Sequence, residues 1–513
     1  MSITRRQFTL LAAGTVATQF LSQRGLAAAA ASDPTQLTLA EAAARIRAGS
    51  LSAVELTEVT LSRIATYNPK LDAFITVMKN QALAQARQLD AEQKAGKLRG
   101  PLHGVPIAIK DIIDTADART TGGSALFEDR VPDEDATVVA RLRAAGAVIV
   151  GKTNTQEFAM GGGETSFWGP ARNPWNLAHN TGGSSSGSGA AVAAFLSHGA
   201  LGTDTGGSVR MPASFCGIVG LKPTYGLVPI KGIMPLTLSL DHCGPMTRTV
   251  EDTALMLNAM AGYDQLDITS VPHEKEDYVA QLAQPVSGFR LGKPISYFDG
   301  VDPEVEAAVE KAIDLLATLT KGVADVNLPG VTHLGSLGTL GETLAWHEEY
   351  FKNAPGKYML AERRRLASIA EAEPKAVDYI RARWEVELLR RKVDSAFKDF
   401  DLVVLPTQRI VAPTLDELLA RAAESAPANP RVVSNCQPFN VMGLPAVSIP
   451  CGFSRSGLPI GLMIAGPTFS EGKVLALAQA YEKATDWHLR KPPLTSTTPV
   501  PEVGKSLNIR WNR

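Results

Sequence analysis

The chain has 513 residues with a formal net charge of −1, 45% hydrophobic and 20% charged. That length allows a large core and more than one domain, and the near-neutral balance excludes the basic footprint that nucleic acid or an anionic membrane demands. Cys216, Cys243, Cys436 and Cys451 lack C-x-x-C spacing and the histidines show no H-E-x-x-H, so free buried thiols are expected and a disulfide framework or zinc site is not.

In chain order, Thr4-Arg5-Arg6-Gln7-Phe8 precedes the apolar run LLAAGTVATQFL and the small residues Ala27 to Ala31. This reads as a twin-arginine signal peptide over residues 1–31, implying export to the periplasm or beyond, away from ATP and charged tRNA. Thr15, Thr18 and Gln19 make the run a poor membrane span, so no stable membrane insertion is expected once the signal is removed.

Helical periodicity fills Thr38 to about Gln93, with Ser52 an N-cap before AVELTEVTLSRI. PLHGVPIAIKDIIDT then places a short buried strand at Val105 to Ile109, closed by Lys110. On spacing alone Lys110 reads as an edge lysine with its ammonium in water, or as a catalytic base. ATVVARLRAAGAVIVGKTN is a helix leading into a strand, and EFAMGGGETSFWGPARNPWN is a Gly- and Pro-rich loop able to shape a pocket. SLDHCGPMTRTVEDTALMLNAMAG reads as a loop and a helix capped by Thr249.

Between about 266 and 400 the chain reads as a peripheral helical layer. Asp302-Pro303 opens an amphipathic helix carrying Val305, Val309, Ala312 and Leu316 on one stripe, and Arg363-Arg364-Arg365 reads as a solvated face. DLVVLPT, NVMGLPAVSIPCGF and LPIGLMIAG are strand-like, and KVLALAQAYEKATDW closes as a helix. The β–α alternation predicts an α/β core.

Two glycine–serine knots stand out: Gly182-Gly183-Ser184-Ser185-Ser186-Gly187-Ser188 and Asp204-Thr205-Gly206-Gly207-Ser208. Paired glycines let a ligand approach the main chain, so a serine after them can face a substrate beside several N–H groups. Three chemistries compete. A nucleophile elbow formally matches Gly183 to Gly187, but NPWNLAHNT ahead of it does not read as a strand. A phosphate-binding glycine loop fails on spacing. A serine–serine–lysine relay remains.

GGSSSGS followed by GTDTGGSVRMPASFCGIVGLKPTYG, with GPLHGVPIAIKDIIDT, GAVIVGKTNTQEF, SLDHCGPMTRTVEDTA and NVMGLPAVSIPCGF, resembles the amidase signature family from about Leu37 to Trp487. The resemblance implies a mixed central β-sheet flanked by helices, a three-layer α/β/α fold, with 32–513 a single amidase domain. It puts the base on Lys110, the bridging serine after a cis peptide bond on Ser184, and the nucleophile on Ser208. The oxyanion hole falls on the N–H groups of Thr205, Gly206, Gly207 and Ser208. Thr181, Ser186 and Met463 depart from the family's common residues without touching those positions. A buried neutral lysine can act as such a base because desolvation disfavours its charged form. The reaction implied is hydrolysis of a linear carboxylic amide by a serine nucleophile, with a small-molecule substrate, no nucleic-acid partner, no cofactor and no metal; a homodimer is compatible with it. The alternatives are the glutaminase (A) subunit of a tRNA-dependent amidotransferase, and a catalytically silent extracytoplasmic binding protein.

Overall fold

A computed structural model of the chain describes residues 33–161, 166–373, 375–424 and 434–504; the 1–31 signal lies outside them. Helices α1 (Leu39–Arg47) and α2 (Ala53–Leu71) begin where the side chains of Thr38 and Ser52 accept from the N–H groups of Glu41 and Glu55. These caps satisfy donors that a helix start leaves open. Strand β1 (Phe74–Val77) interrupts the predicted helical run before α3 (Lys79–Lys94).

Strands and helices then alternate: β2 (Pro106–Lys110), α4 (Thr137–Ala144), β3 (Val148–Thr153), the ribbon β4 (Arg172–Asn173) and β5 (Asn176–Asn180), and α5 (Ser186–Ala193). After these come β6 (Gly199–Thr203), α6 (Arg210–Cys216), β7 (Val219–Lys222), β8 (Cys243–Thr247), α7 (Val250–Met260) and α8 (Tyr278–Gln281). The remainder holds β9 (Leu291–Pro294), α9 (Pro303–Leu319), β10 (Val323–Val326), α10 (Thr332–Asn353), α11 (Leu360–Glu371) and α12 (Ala376–Val393). It closes with β11 (Leu402–Pro406), α13 (Leu415–Glu424), α14 (Gln437–Val441), β12 (Ala446–Phe453), β13 (Pro459–Ala465) and α15 (Glu471–Lys483).

One 11-stranded mixed sheet runs β1-β3-β2-β6-β8-β7-β12-β13-β11-β9-β10. Parallel pairs (β2 with β3 and β6, β9 with β10 and β11) flank a continuous antiparallel run from β6 to β11, and β1 adds to β3 antiparallel at one edge. Both faces are covered, so the central strands are buried along their length and mostly apolar, with lysine, threonine or serine chiefly at or near strand ends. Ile107, Ile109, Ile149, Leu201, Val404 and Ile464 face one way with α1, α4, α7, α9 and α15. Ala108, Val148, Val150, Ala200 and Met246 face the other with α2, α3 and α5, and Val403, Leu405, Ala446 and Met463 continue that face under α12 and α14. Each fully buried large aliphatic side chain contributes about 1.5–3 kcal/mol, so these two sandwiched layers are the main source of stability. The α/β/α expectation holds.

Several expectations shift. The 266–400 stretch is not wholly helical or peripheral, because β9 and β10 join the main sheet and α9 packs its predicted stripe into the core. Only 332–393 forms a run of helices over the sheet's loops. NPWNLAHNT does contain a strand, β5, but it pairs with β4 in a separate ribbon outside the main sheet. In β8 a Cβ on Gly244 would lie 2.0 Å from the Leu221 carbonyl oxygen, so glycine is what lets that strand sit close to its neighbour. All four cysteines are buried, and none of them forms a disulfide among the described residues.

Candidate active site

Lys110 is the last residue of β2, and its neighbour β6 runs parallel to it, Ile109 opposite Leu201. The strand ends therefore place Lys110 beside Thr203, the last residue of β6. Lys110 Nζ donates to Thr203 Oγ1 at 2.7 Å and lies 2.7 Å from Ser184 Oγ. The edge-lysine reading is corrected: the side chain is fully buried. Burial pushes its pKa from 10.5 down to about 7, against the opposing pull of Asp204, Asp241 and Cys243.

Ser184 precedes α5 and follows a cis Gly183–Ser184 peptide bond. Its carbonyl accepts from the Gln156 N–H at 3.3 Å, and a Cβ on Gly183 would lie 2.5 Å from the Gln156 side chain, so that glycine keeps a packed wall in place. Ser185 ties the two knots together: its N–H donates to the Ser208 carbonyl at 3.3 Å and its hydroxyl to the Thr203 carbonyl at 3.2 Å. Ser208 itself is half-buried, whereas Ser184 is buried.

The 204–208 turn is wound around the buried Asp204 carboxylate. Asp204 accepts from the N–H groups of Gly207 (2.8 Å) and Val209 (3.1 Å), and from Arg210 Nε (3.0 Å) and Nη2 (2.9 Å). Asn440 Nδ2 donates to the same carboxylate at 2.8 Å, while its oxygen accepts from Arg210. Burial alone would raise the Asp204 pKa, but the Arg210 guanidinium and Asn440 more than reverse it and hold the carboxyl well below the usual range. Met463 sulfur accepts from Arg210 Nη1 at 3.4 Å, so the departure at Met463 retains an acceptor for that guanidinium.

This winding corrects one expectation. The Gly207 N–H is turned onto Asp204, so it is not presented to a substrate. The N–H groups of Thr205, Gly206 and Ser208 are engaged by no other described residue and are the ones open to a developing oxyanion. Gly207 has φ +126°, and a Cβ there would lie 2.7 Å from Cys436 Cβ, so the turn needs glycine on both counts.

Helices α10 to α12 reach these loops. Arg365 turns inward and donates to the Met160 carbonyl, leaving Arg363 and Arg364 as the exposed part of the arginine run. The Met359 N–H donates to Glu157 Oε2 at 2.8 Å. Burial, then the nearby Glu362, pushes the Glu157 carboxyl up to about 8. Among the described residues no group of three or more His, Cys, Asp or Glu side chains comes together that could hold a metal ion, and no helix is long and apolar enough to cross a membrane.

Lys110 and Ser184 are thus in direct contact, and the Ser208 turn is tied to the same knot through Ser185. Thr203, Gln156, Asn440 and Asp241 were not singled out from sequence. Asp204 and Arg210 flank Thr205 to Ser208 in the chain, a local carboxylate–guanidinium signal that pairing logic could have found.

The Amidase family model matches residues 55–475. The glutamyl-tRNA(Gln) amidotransferase (A) subunit of Geobacter sp. (strain M21) is 39% identical over 485 residues, covering 89% of this chain and 99% of the relative. The protein of the same name from Roseiflexus sp. (strain RS-1) is 41% identical over 490 residues, covering 90% and 98%. Among solved structures, the peptide amidase of Stenotrophomonas maltophilia superposes with a TM-score of 0.76 at 34% identity, covering 90% of this chain and 98% of that one. A 6-aminohexanoate cyclic dimer hydrolase gives a TM-score of 0.80 at 29% identity, covering 90% and 99%.

Proposed function

The chain belongs to the Amidase family, and from that premise we propose that it hydrolyses a carboxylic amide through an acyl-enzyme on Ser208. The observation that carries this reading is the buried contact of Lys110 Nζ with Ser184 Oγ at 2.7 Å, beside a turn that leaves three N–H groups open. Lys110, whose burial favours its neutral form, takes the Ser184 proton as Ser184 takes the proton of Ser208. The freed Ser208 oxygen attacks the carbonyl carbon, and the N–H groups of Thr205, Gly206 and Ser208 receive the charge that forms on oxygen. The proton then returns by Ser184 to the amide nitrogen, the C–N bond breaks, and ammonia or an amine leaves. Water, activated by the same relay, releases the carboxylate. A silent receptor would have no use for a desolvated lysine in this place, which speaks against the binding-protein reading.

Of the finer readings, the curated relatives favour the glutaminase subunit over a free-standing exported amidase. On that reading the substrate is the primary carboxamide of glutamine, and the ammonia passes to partner subunits. The second reading rests on Thr4-Arg5-Arg6-Gln7-Phe8, which would take the chain away from charged tRNA. Fluorophosphonate labelling with peptide mapping tests the shared chemistry: a label on Ser208 supports it, and a label on Ser184 or Ser185 with activity lost sinks it. Ammonia release from glutamine, set against aliphatic, aryl and peptide amides, separates the finer readings. Release from glutamine alone supports the glutaminase reading, and inactivity on glutamine with turnover of another amide refutes it. Cell fractionation after Arg5→Lys with Arg6→Lys tests export.

A further inference from the structure

We propose that Asp241 is a positioning residue that fixes the oxyanion turn through Thr205 and holds a negative charge over the base; this rests on the acyl-enzyme reading above. The Asp241 carboxylate accepts the Thr205 hydroxyl at 2.5 Å, the Leu236 N–H at 2.9 Å and the Thr237 N–H at 3.2 Å. Thr205 is the first of the three residues whose N–H groups stay open, so its orientation sets one side of the hole. The backbone is strapped at the same point, since the Asp204 N–H donates to the His242 carbonyl at 2.8 Å and the His242 N–H to the Asp204 carbonyl at 3.1 Å. The 236–242 loop is therefore a brace against the back of the turn.

That brace is itself held by the helices above it. Thr343 of α10 donates to the Leu236 carbonyl at 2.9 Å, and Glu342 accepts the Ser239 N–H at 2.9 Å. On α12, Tyr379 donates to Glu342 at 2.7 Å and Arg390 to the Ser239 carbonyl at 2.8 Å. A continuous set of bonds thus runs from α10 and α12 through Asp241 to Thr205. Asp241 is buried, and nothing in the relay chemistry requires a carboxylate there unless it orients the turn.

Its charge also bears on Lys110. The groups that act on that ammonium are Asp204, Asp241 and Cys243. Asp204 is committed to Arg210, whereas Asp241 meets only hydroxyl and N–H donors; burial first, and then Glu342, pushes its carboxyl up to about 6, so it is ionised over the range in which Lys110 would titrate. Asp241 is the carboxylate whose field toward Lys110 is least cancelled by a cation.

The test compares Asp241→Asn and Thr205→Val with the full-length wild type, reading the rate of Ser208 phosphonylation by a fluorophosphonate as a function of pH. This readout needs no knowledge of the natural amide. Asp241→Asn is expected to slow labelling about 10–100-fold on the alkaline plateau, the size of a misplaced oxyanion donor. It should also move the midpoint of the basic limb toward acid by about one pH unit, as removal of one charge in a partly polar interior does. Thr205→Val should slow labelling similarly and leave the midpoint in place, because the carboxylate remains. Wild-type plateau rates in Thr205→Val overturn the positioning role, including where Asp241→Asn fails to fold. An unmoved midpoint in folded Asp241→Asn overturns the role of the charge. If the wild type is labelled at another residue, the acyl-enzyme reading falls and takes this inference with it; labelling at Ser208 that is indifferent to both variants overturns this inference alone.

Discussion

Replacing Lys110 with methionine should disable the chemistry and make the protein progressively less stable relative to wild type as pH rises from about 6 to 9.5. In the folded chain burial moves the lysine from 10.5 to about 7. At about 1.36 kcal/mol per pKa unit this is about 5 kcal/mol of disfavoured charge, an order-of-magnitude figure. The folded pKa lies below the unfolded one, so between the two the unfolded chain binds more protons and wild-type stability rises with pH. The penalty is present in full below about pH 7 and is gone above about pH 10.5. Methionine carries no such penalty but strands the hydroxyls of Ser184 and Thr203, at about 1–3 kcal/mol each. The stability of Lys110→Met relative to wild type should therefore fall by about 3 kcal/mol between pH 6 and pH 9.5. Urea unfolding of both proteins across that range measures it. A difference that does not change with pH would show that Lys110 is not held neutral by burial, and the assignment of base would fail with it. The same variant should lose about 10²–10⁴-fold in Ser208 labelling rate, and Lys110→Arg, which stays charged, a similar amount.

Arg210→Met should cost about 3–5 kcal/mol at pH 7, since it leaves the buried Asp204 carboxylate without its cation. Because that carboxyl is held low in the folded state, its contribution is present above about pH 4 and lost on acidification, so the variant's urea midpoint should vary less with pH below that point than wild type's. Gly207→Ala should lose about 1–3 kcal/mol and slow Ser208 labelling, because its Cβ meets Cys436 at 2.7 Å in a φ +126° conformation; an unchanged midpoint and rate would contradict the turn geometry. The four thiols should react with a thiol reagent in urea and not in the native protein, where burial pushes Cys243 up to about 12; fast native modification would contradict their burial.

Strands buried on both faces were legible because VPIAI, AVIV and LVVL are unbroken apolar runs. β8 was not, because CGPMT carries glycine and proline whose fitness depends on the Leu221 carbonyl of the neighbouring strand β7. β1 has only its first residue buried and hides among helices. The residues proposed for the relay were recognisable from the wording around them, yet the burial that lowers the Lys110 pKa is a tertiary desolvation that no local pattern encodes. Lys152 is likewise buried at the end of a strand, donating to the Ile113 carbonyl at 2.6 Å, and its spacing looks much like that of Lys110. Arg365 was misread because its inward partner, Met160, is remote in the chain. Asp241 gives no sequence signal beyond its place before His242.

The order of the sheet has a consequence for the chain as it is made. β12 and β13 lie between β7 and β11, and the turn that carries Ser208 is anchored by Asn440 and Met463. A ribosome that has delivered Lys110, Ser184 and Ser208 has therefore delivered the proposed relay without the residues that anchor the Ser208 turn. On the proposed chemistry the nascent polypeptide should stay inert toward amides around it until its final quarter threads into the middle of the sheet. Acquisition of fluorophosphonate reactivity is then a marker of completed topology, lagging behind helix formation during refolding and absent from chains truncated before Asn440.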